Sequence, residues 1–128
     1  MNILLCTSEA LMLTTLEYRF RKNGWKLEVA EDAETARMKI NKGAPDLVVV
    51  DLSLSGYEAM EIIRFIVNEH QHAVPVLAAG GLDAAPLLME AVRRGADDFI
   101  ISPYKPDELV LRVRRLLLTQ QVFDQALA

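Results

Sequence analysis

The sequence predicts an α/β domain: five β-α units building a doubly wound parallel sheet. Apolar runs of strand length alternate with helix-length amphipathic stretches five times. Three of those runs, Ile3-Leu4-Leu5, Leu47-Val48-Val49-Val50 and Val76-Leu77-Ala78, are apolar on both faces, the pattern of strands covered by helices above and below. At 128 residues and 52% hydrophobic content the chain suffices for one core and not for two. Residues 1–118 are read as the domain, and 119–128 as a helix extension or the start of a linker.

Taken in order, the strands are expected at Asn2 to Cys6, Lys26 to Ala30, Asp46 to Val50, Val74 to Ala79 and Asp98 to Ile101. Ser8 is placed to cap a first helix running to about Asn23, where Gly24 supplies a left-handed stop. Asp32 caps a second helix that ends at Gly43, and a third, from about Glu58 to Asn68, sets Met60, Ile63 and Val67 on one face. Asp83 is expected to cap the fourth, with Pro86 in its permissive first turn. The fifth opens at Pro106 and buries Leu109, Val113, Leu116 and Leu117. Right-handed crossovers then give a flavodoxin-like sheet of order 2-1-3-4-5. Ligand chemistry in such a sheet lies outside the carboxyl ends of the strands, which directs attention to Cys6-Thr7-Ser8, Asp51, Gly80-Gly81 and Ser102.

Composition narrows the function classes. With 14 basic against 18 acidic residues and a net charge of -4, the chain offers no electrostatic footprint for direct nucleic-acid or anionic-membrane binding. No apolar run approaches the ~20 residues that span a bilayer. Met1-Asn2-Ile3 lacks the basic flank of a signal peptide, so a cytoplasmic protein is expected. Cys6 is the single cysteine and forms no internal disulfide, as suits a reducing compartment.

The stretch Pro45-Asp46-Leu47-Val48-Val49-Val50-Asp51-Leu52-Ser53-Leu54-Ser55-Gly56 resembles the third strand and following loop of response-regulator receiver domains. Gly95-Ala96-Asp97-Asp98-Phe99-Ile100-Ile101-Ser102-Pro103-Tyr104 resembles their fifth strand and the turn after it, and with Pro75-Val76-Leu77-Ala78 and Glu108-Leu109 the likeness spans Ile3 to about Leu118. The resemblance implies a two-component signalling domain with Asp51 at the phosphoacceptor position, Ser53 at the metal-facing carbonyl, Phe99 as the switch aromatic, expected here to keep one rotamer, and a cis bond before Pro103. The chain departs from the family pattern elsewhere. Thr7 and Ser8 stand at the two metal-binding acids, Gly80 at the hydroxyl residue, Ser102 at the lysine and Ser55 at the loop proline.

Those replacements bear on the chemistry. Phosphoryl transfer to a carboxylate needs the charge on the donor's equatorial oxygens neutralised by cations. Magnesium wants one or two carboxylates together with waters and substrate oxygens, and Asp51 stands almost alone, with Glu9 one position too late and expected to leave the pocket. Hydroxyls of Thr7, Ser8 and Ser102 are instead placed to hold ionised Asp51. The expectation is therefore a receiver that is not an enzyme and works by phosphorylation-independent protein interaction, needing no cofactor. Its alternative is a working phosphoacceptor that takes phosphate on Asp51 from a histidine kinase, with Mg2+. A third reading, a small catalytic domain using Cys6, lacks the glycine- and arginine-bearing anion loop such nucleophiles need; a buried structural cysteine is the plainer alternative.

Other features carry bland alternatives of their own. His70 and His72 make a sparse metal signal and read more simply as a solvated loop. Gly80-Gly81 offers backbone N–H groups to an anion or else a permissive connection, and Trp25 reads as packing at the sheet edge. By resemblance to receivers of winged-helix regulators, Asp98 and Arg112 stand at positions of an intersubunit salt bridge, with Val92 and Val110 in the apolar centre and Glu108 at an interface acid whose basic partner's position holds Leu88. Homodimer pairing through that face is one expectation and a solvated charged face the other. Leu111 and Leu118 lie off the inner stripe as further apolar surface, and protein partners, a histidine kinase or an output domain, are implied.

Overall fold

Side chains that alternate across both apolar faces of each central strand place helices on both sides of the sheet. The computed structural model describes residues 1–9 and 13–127. The elements run β1 (Asn2–Cys6), α1 (Leu13–Lys22), β2 (Lys26–Ala30), α2 (Ala33–Gly43), β3 (Leu47–Asp51), α3 (Gly56–Arg64), β4 (Val76–Gly81), α4 (Ala85–Arg93), β5 (Asp98–Ser102) and α5 (Pro106–Leu127). All pairings are parallel and the order is β2-β1-β3-β4-β5, as the sequence predicts.

Residue parity decides which core each strand residue joins. Leu4, Cys6, Val48, Val50 and Ala78 pack under α2, α3 and α4 against Ile40, Ile62, Ile66 and Leu88. Ile3, Leu5, Val49, Leu77 and Ala79 pack on the opposite face against Leu16 and Phe20 of α1 and Leu109, Val113, Leu116 and Leu117 of α5. Each fully buried Leu, Ile or Val contributes about 1.5–3 kcal/mol relative to exposure, so these two layers fix the register of β3 and with it the position of Asp51. Trp25 meets Phe20 edge to face at 5.5 Å between ring centroids, a packing residue as expected.

Several local expectations shift. The expected cap of the first helix at Ser8 borders residues 10–12, which lie outside the described residues, as does Ala128. β4 begins at Val76: Pro75 has no N–H to give, although its carbonyl accepts from Val48 N at 3.0 Å. It ends at Gly81, because Gly80 and Gly81 pair with Ile101 and Ser102; the diglycine is strand rather than loop. α3 starts early, capped by the Ser55 hydroxyl accepting from Glu58 N at 3.2 Å, and ends in a π-helical turn, Phe65–Glu69. Asp83 caps nothing. It sits in a 3-10 turn, Leu82–Ala84, and Ala84 precedes α4 without a side-chain cap. α5 runs unbroken through 119–127, leaving Leu111 and Leu118 exposed.

Candidate functional site

β3 presents Val50 to one core and, by alternation, sends the side chain of Asp51 toward the α1 and α5 side at its carboxyl end. The chain then turns on Asp51 itself: its Oδ1 accepts from Ser53 N at 2.9 Å, an Asx turn. Its Oδ2 accepts from the Thr7 hydroxyl at 2.9 Å, and Thr7 is only 3% exposed. Beside it, the Ser8 hydroxyl donates to the Ser53 carbonyl at 2.9 Å. Thr7 Oγ1 also accepts from Glu9 N at 3.0 Å and lies 3.2 Å from Ser53 Oγ, so the three hydroxyls form one network. Thr7 and Ser8, expected at positions of metal-binding acids, therefore act as donors to the neighbouring site oxygens.

The other expected pocket residues divide. Ser102 and Pro103 line a cleft next to Asp51, and the bond between them is cis, but of the three hydroxyls expected to hold Asp51 only Thr7 reaches it: Ser8 turns to Ser53 and Ser102 makes no hydrogen bond to the carboxylate. Gly80 is outside that cleft. A Cβ there would meet the Leu52 side chain at 3.0 Å, so Leu52 covers the position where a hydroxyl would face the site. Glu9, expected to leave the pocket, lines the cleft with Thr7 and Asp51. Tyr104 does so too, its phenol pushed up to about 12 by burial and then by the charges of Asp51 and Glu9. Sequence reasoning missed Leu52 and Tyr104. The available signals were a large residue after the acceptor opposite a glycine, and an aromatic directly after the Ser-Pro turn.

The alternative nucleophile is removed. Cys6 is fully buried in the core beneath α2 and α3, and burial pushes its thiol up to about 12, so it stays protonated and unexposed. His72 lies 3.2 Å from Asp97, whose carboxylate also accepts from Val76 N at 2.7 Å, while His70 stacks on Phe65. Among the described residues no group of three or more His, Cys, Asp or Glu side chains is placed to hold a metal ion.

On the α4, β5 and α5 face, charges expected to reach across a dimer close within the chain. Asp98 pairs with Arg115 and lies 3.5 Å from Arg112, which also donates to the Phe99 carbonyl at 2.8 Å. Val110, expected in the apolar centre of a pairing face, is instead 7% exposed and packs inward with Leu109 and Val113, because one turn of α5 buries both positions. Val92 is half-buried, Leu88 is buried, and Glu108 is exposed. Phe99 is half-buried against the first core.

A parallel five-stranded sheet with a half-exposed aspartate ending its third strand, beside a cis-proline turn after its fifth, defines the receiver class of signalling domain. The chain belongs to that family: the response regulator receiver domain matches residues 3–114. It is 32% identical over 116 residues to the transcriptional regulatory protein TrcR of Mycobacterium tuberculosis, covering 91% of this chain and 45% of TrcR. It is 29% identical over 126 residues to the two-component response regulator PhoP of Pseudomonas aeruginosa, covering 98% of this chain and 56% of PhoP. The chain thus spans about half the length of these curated relatives. The crystal structure of the receiver domain of NtrX from Brucella abortus superposes with a TM-score of 0.82 at 32% identity, covering 91% of this chain and 98% of that one. No helix among the described residues is long and apolar enough to cross a membrane.

Proposed function

We propose that this chain is a receiver module of a response regulator that signals through protein contacts without taking phosphate on Asp51. The observation that carries the reading is the hydroxyl network: Thr7 and Ser8 spend their protons on the Asp51 carboxylate and the Ser53 carbonyl. A magnesium ion needs those same oxygens as ligands. The donor set does not fit it, since both Asp51 oxygens already accept protein hydrogen bonds, the Ser53 carbonyl is already capped, and among the described residues no group of three or more acids, histidines or cysteines gathers there. Among the described residues no lysine or arginine lines the cleft to take over the metal's role; Lys105, two residues after Pro103, is exposed and outside it. Losing a single charge-stabilising donor costs roughly a hundred- to a thousandfold in rate, and this site lacks several.

The module is no enzyme in its own right on this reading. Its partners are proteins, a histidine kinase or an output domain, met through the α4, β5 and α5 face, where Met89, Leu111 and Leu118 are exposed apolar residues. A second copy is one such partner, although the in-chain pairing of Asp98 leaves less charge to exchange across a dimer. One feature favours the phosphoacceptor alternative: Glu9 lines the cleft and supplies a second carboxylate near Asp51. Incubation with acetyl phosphate and Mg2+ followed by intact mass measurement separates the two readings. Unmodified protein is the expected outcome, and a stoichiometric aspartyl phosphate lost in Asp51→Asn overturns the proposal.

A further inference from the structure

A face that answers a signal needs a segment able to sit in two arrangements, and the segment that leads into the α4, β5 and α5 face runs from β4 into α4. It holds no irregular residue: β4 ends at Gly81, the 3-10 turn takes Leu82–Ala84, and α4 follows at Ala85. Gly80 and Gly81, where glycine would allow slack, are tied into the ladder opposite Ile101 and Ser102. Side chains then close over the backbone at three points. Leu52 lies on Gly80, and Leu87 of α4 lies on Gly56 at the start of α3, each 3.0 Å from where a Cβ would stand. Past the far end of α4, Val67 of the π-helical turn comes within 2.7 Å of the same point on Gly95. Between these contacts Leu88 and Ala91 are sunk in the first core.

We propose that α4 is bolted in a single position, so that the face built by α4, β5 and α5 is presented to protein partners permanently and carries no switch. The inference deepens the proposed function and rests on its assignment of partners to that face. Packed elements move between discrete arrangements rather than bending gradually. To slide, α4 has to lift Leu87 off Gly56, draw Leu88 and Ala91 out of the core and part Gly95 from Val67, all in one step. Each of those contacts, once opened, leaves a gap whose lining loses its partners. Pulling from β4 instead breaks the pairing of Gly81 with Ser102. The turn that carries Asp51 is fastened to the same block, since Leu52 N donates to the Ala79 carbonyl at 2.8 Å while the Leu52 side chain covers Gly80. Site and face are thus parts of one rigid body rather than two parts joined by a moving one. Met89, Leu111 and Leu118 therefore keep one exposed geometry, and control of signalling lies with the amount of the chain or with its partner.

The test is millisecond relaxation dispersion on the backbone amides of the whole chain. Flat profiles are expected from Leu82 to Val92 and at Phe99. Leu52→Ala together with Leu87→Ala removes two of the fastenings and should bring exchange to those same amides, with hydrogen exchange in α4 faster by at least about tenfold. If that double variant does not fold, Gly56→Ala decides: its methyl pushes Leu87, and chemical-shift changes are expected to run along α4 to Met89 and Val92. A shared exchange process across Leu82 to Val92 in the unaltered chain overturns the proposal. So do flat profiles in the folded double variant, or Gly56→Ala shifts that stop at Leu87. Treatment with acetyl phosphate and Mg2+ keeps the two failures apart. Aspartyl phosphate on a chain whose profiles stay flat strikes down the phosphorylation-independent reading alone, whereas exchange in a chain that takes no phosphate strikes down this inference alone.

Discussion

Asp51 is held by one hydroxyl and one backbone N–H, and the hydroxyl is the removable one. Thr7→Val keeps the shape and deletes the donor, leaving a half-buried carboxylate oxygen without its partner; a hydrogen bond to a charged group is worth about 1.5–3 kcal/mol. A loss of that size is expected in urea unfolding, with an unchanged denaturant slope. Cys6 gives a pH-dependent counterpart. Its thiol is raised from 9.0 to about 12 in the folded chain, so the folded state keeps a proton that the unfolded state releases in that window. Stability from this group is complete below pH 9.0 and is lost as pH rises toward about 12. Tyr104, raised from 10.0 to about 12, acts in the same direction. Cys6→Ala should make the alkaline fall in unfolding free energy shallower, as followed by urea melts at stepped pH. At this scale the sequence places Asp51, Thr7, Ser8 and Ser53 at neighbouring strand ends, where the structure has them, because a strand end fixes position by register alone. It misjudged the reach of Ser8, Ser102 and Glu9, since side-chain reach across a cleft depends on loop geometry that spacing does not encode.

At the scale of elements, the informative pair is β4 against the loop after β3. Gly80 and Leu52 are complementary, a missing side chain beneath a large one, with a Cβ at Gly80 landing 3.0 Å from Leu52 Cδ1. Placing a hydroxyl residue there by Gly80→Thr is therefore expected to overpack the site, which typically costs about 1–3 kcal/mol. The cost should shrink when Leu52→Ala is added, as a double-mutant cycle in urea would measure; strict additivity would show that the two side chains do not compete for this space. The diglycine also explains why β4 was misread. Glycines signal a loop in sequence, yet the backbone of β5 supplies Ile101 and Ser102 as ladder partners, and that tertiary pairing overrides local preference. The π-turn Phe65–Glu69 was illegible for a different reason. One inserted residue leaves the apolar periodicity on either side nearly intact, so the pattern reads as a single helix.

For the molecule as a whole, topology was the most legible property. Two-sided apolar strands separated by helices admit few parallel arrangements once crossovers are right-handed, and β2-β1-β3-β4-β5 is the one found. That order brings the ends of β1 and β3 together, with β4 alongside, so Thr7, Ser8, Asp51 and Ser53 converge without any local sequence signal linking residue 7 to residue 53. The association face was less legible, because charge spacing along α5 does not say whether Arg112 and Arg115 turn to Asp98 of the same chain or of another. Function at this scale turns on whether Asp51, with Glu9 beside the cleft and no cationic company among the described residues, can hold a divalent ion and a phosphoryl group. Titration with Mg2+ and beryllofluoride, read by amide NMR, asks that question directly. We expect no saturable shifts at Thr7, Asp51, Ser53 or Phe99; saturable binding at those amides, abolished in Asp51→Asn, would contradict the phosphorylation-independent reading and restore a metal-assisted phosphoacceptor.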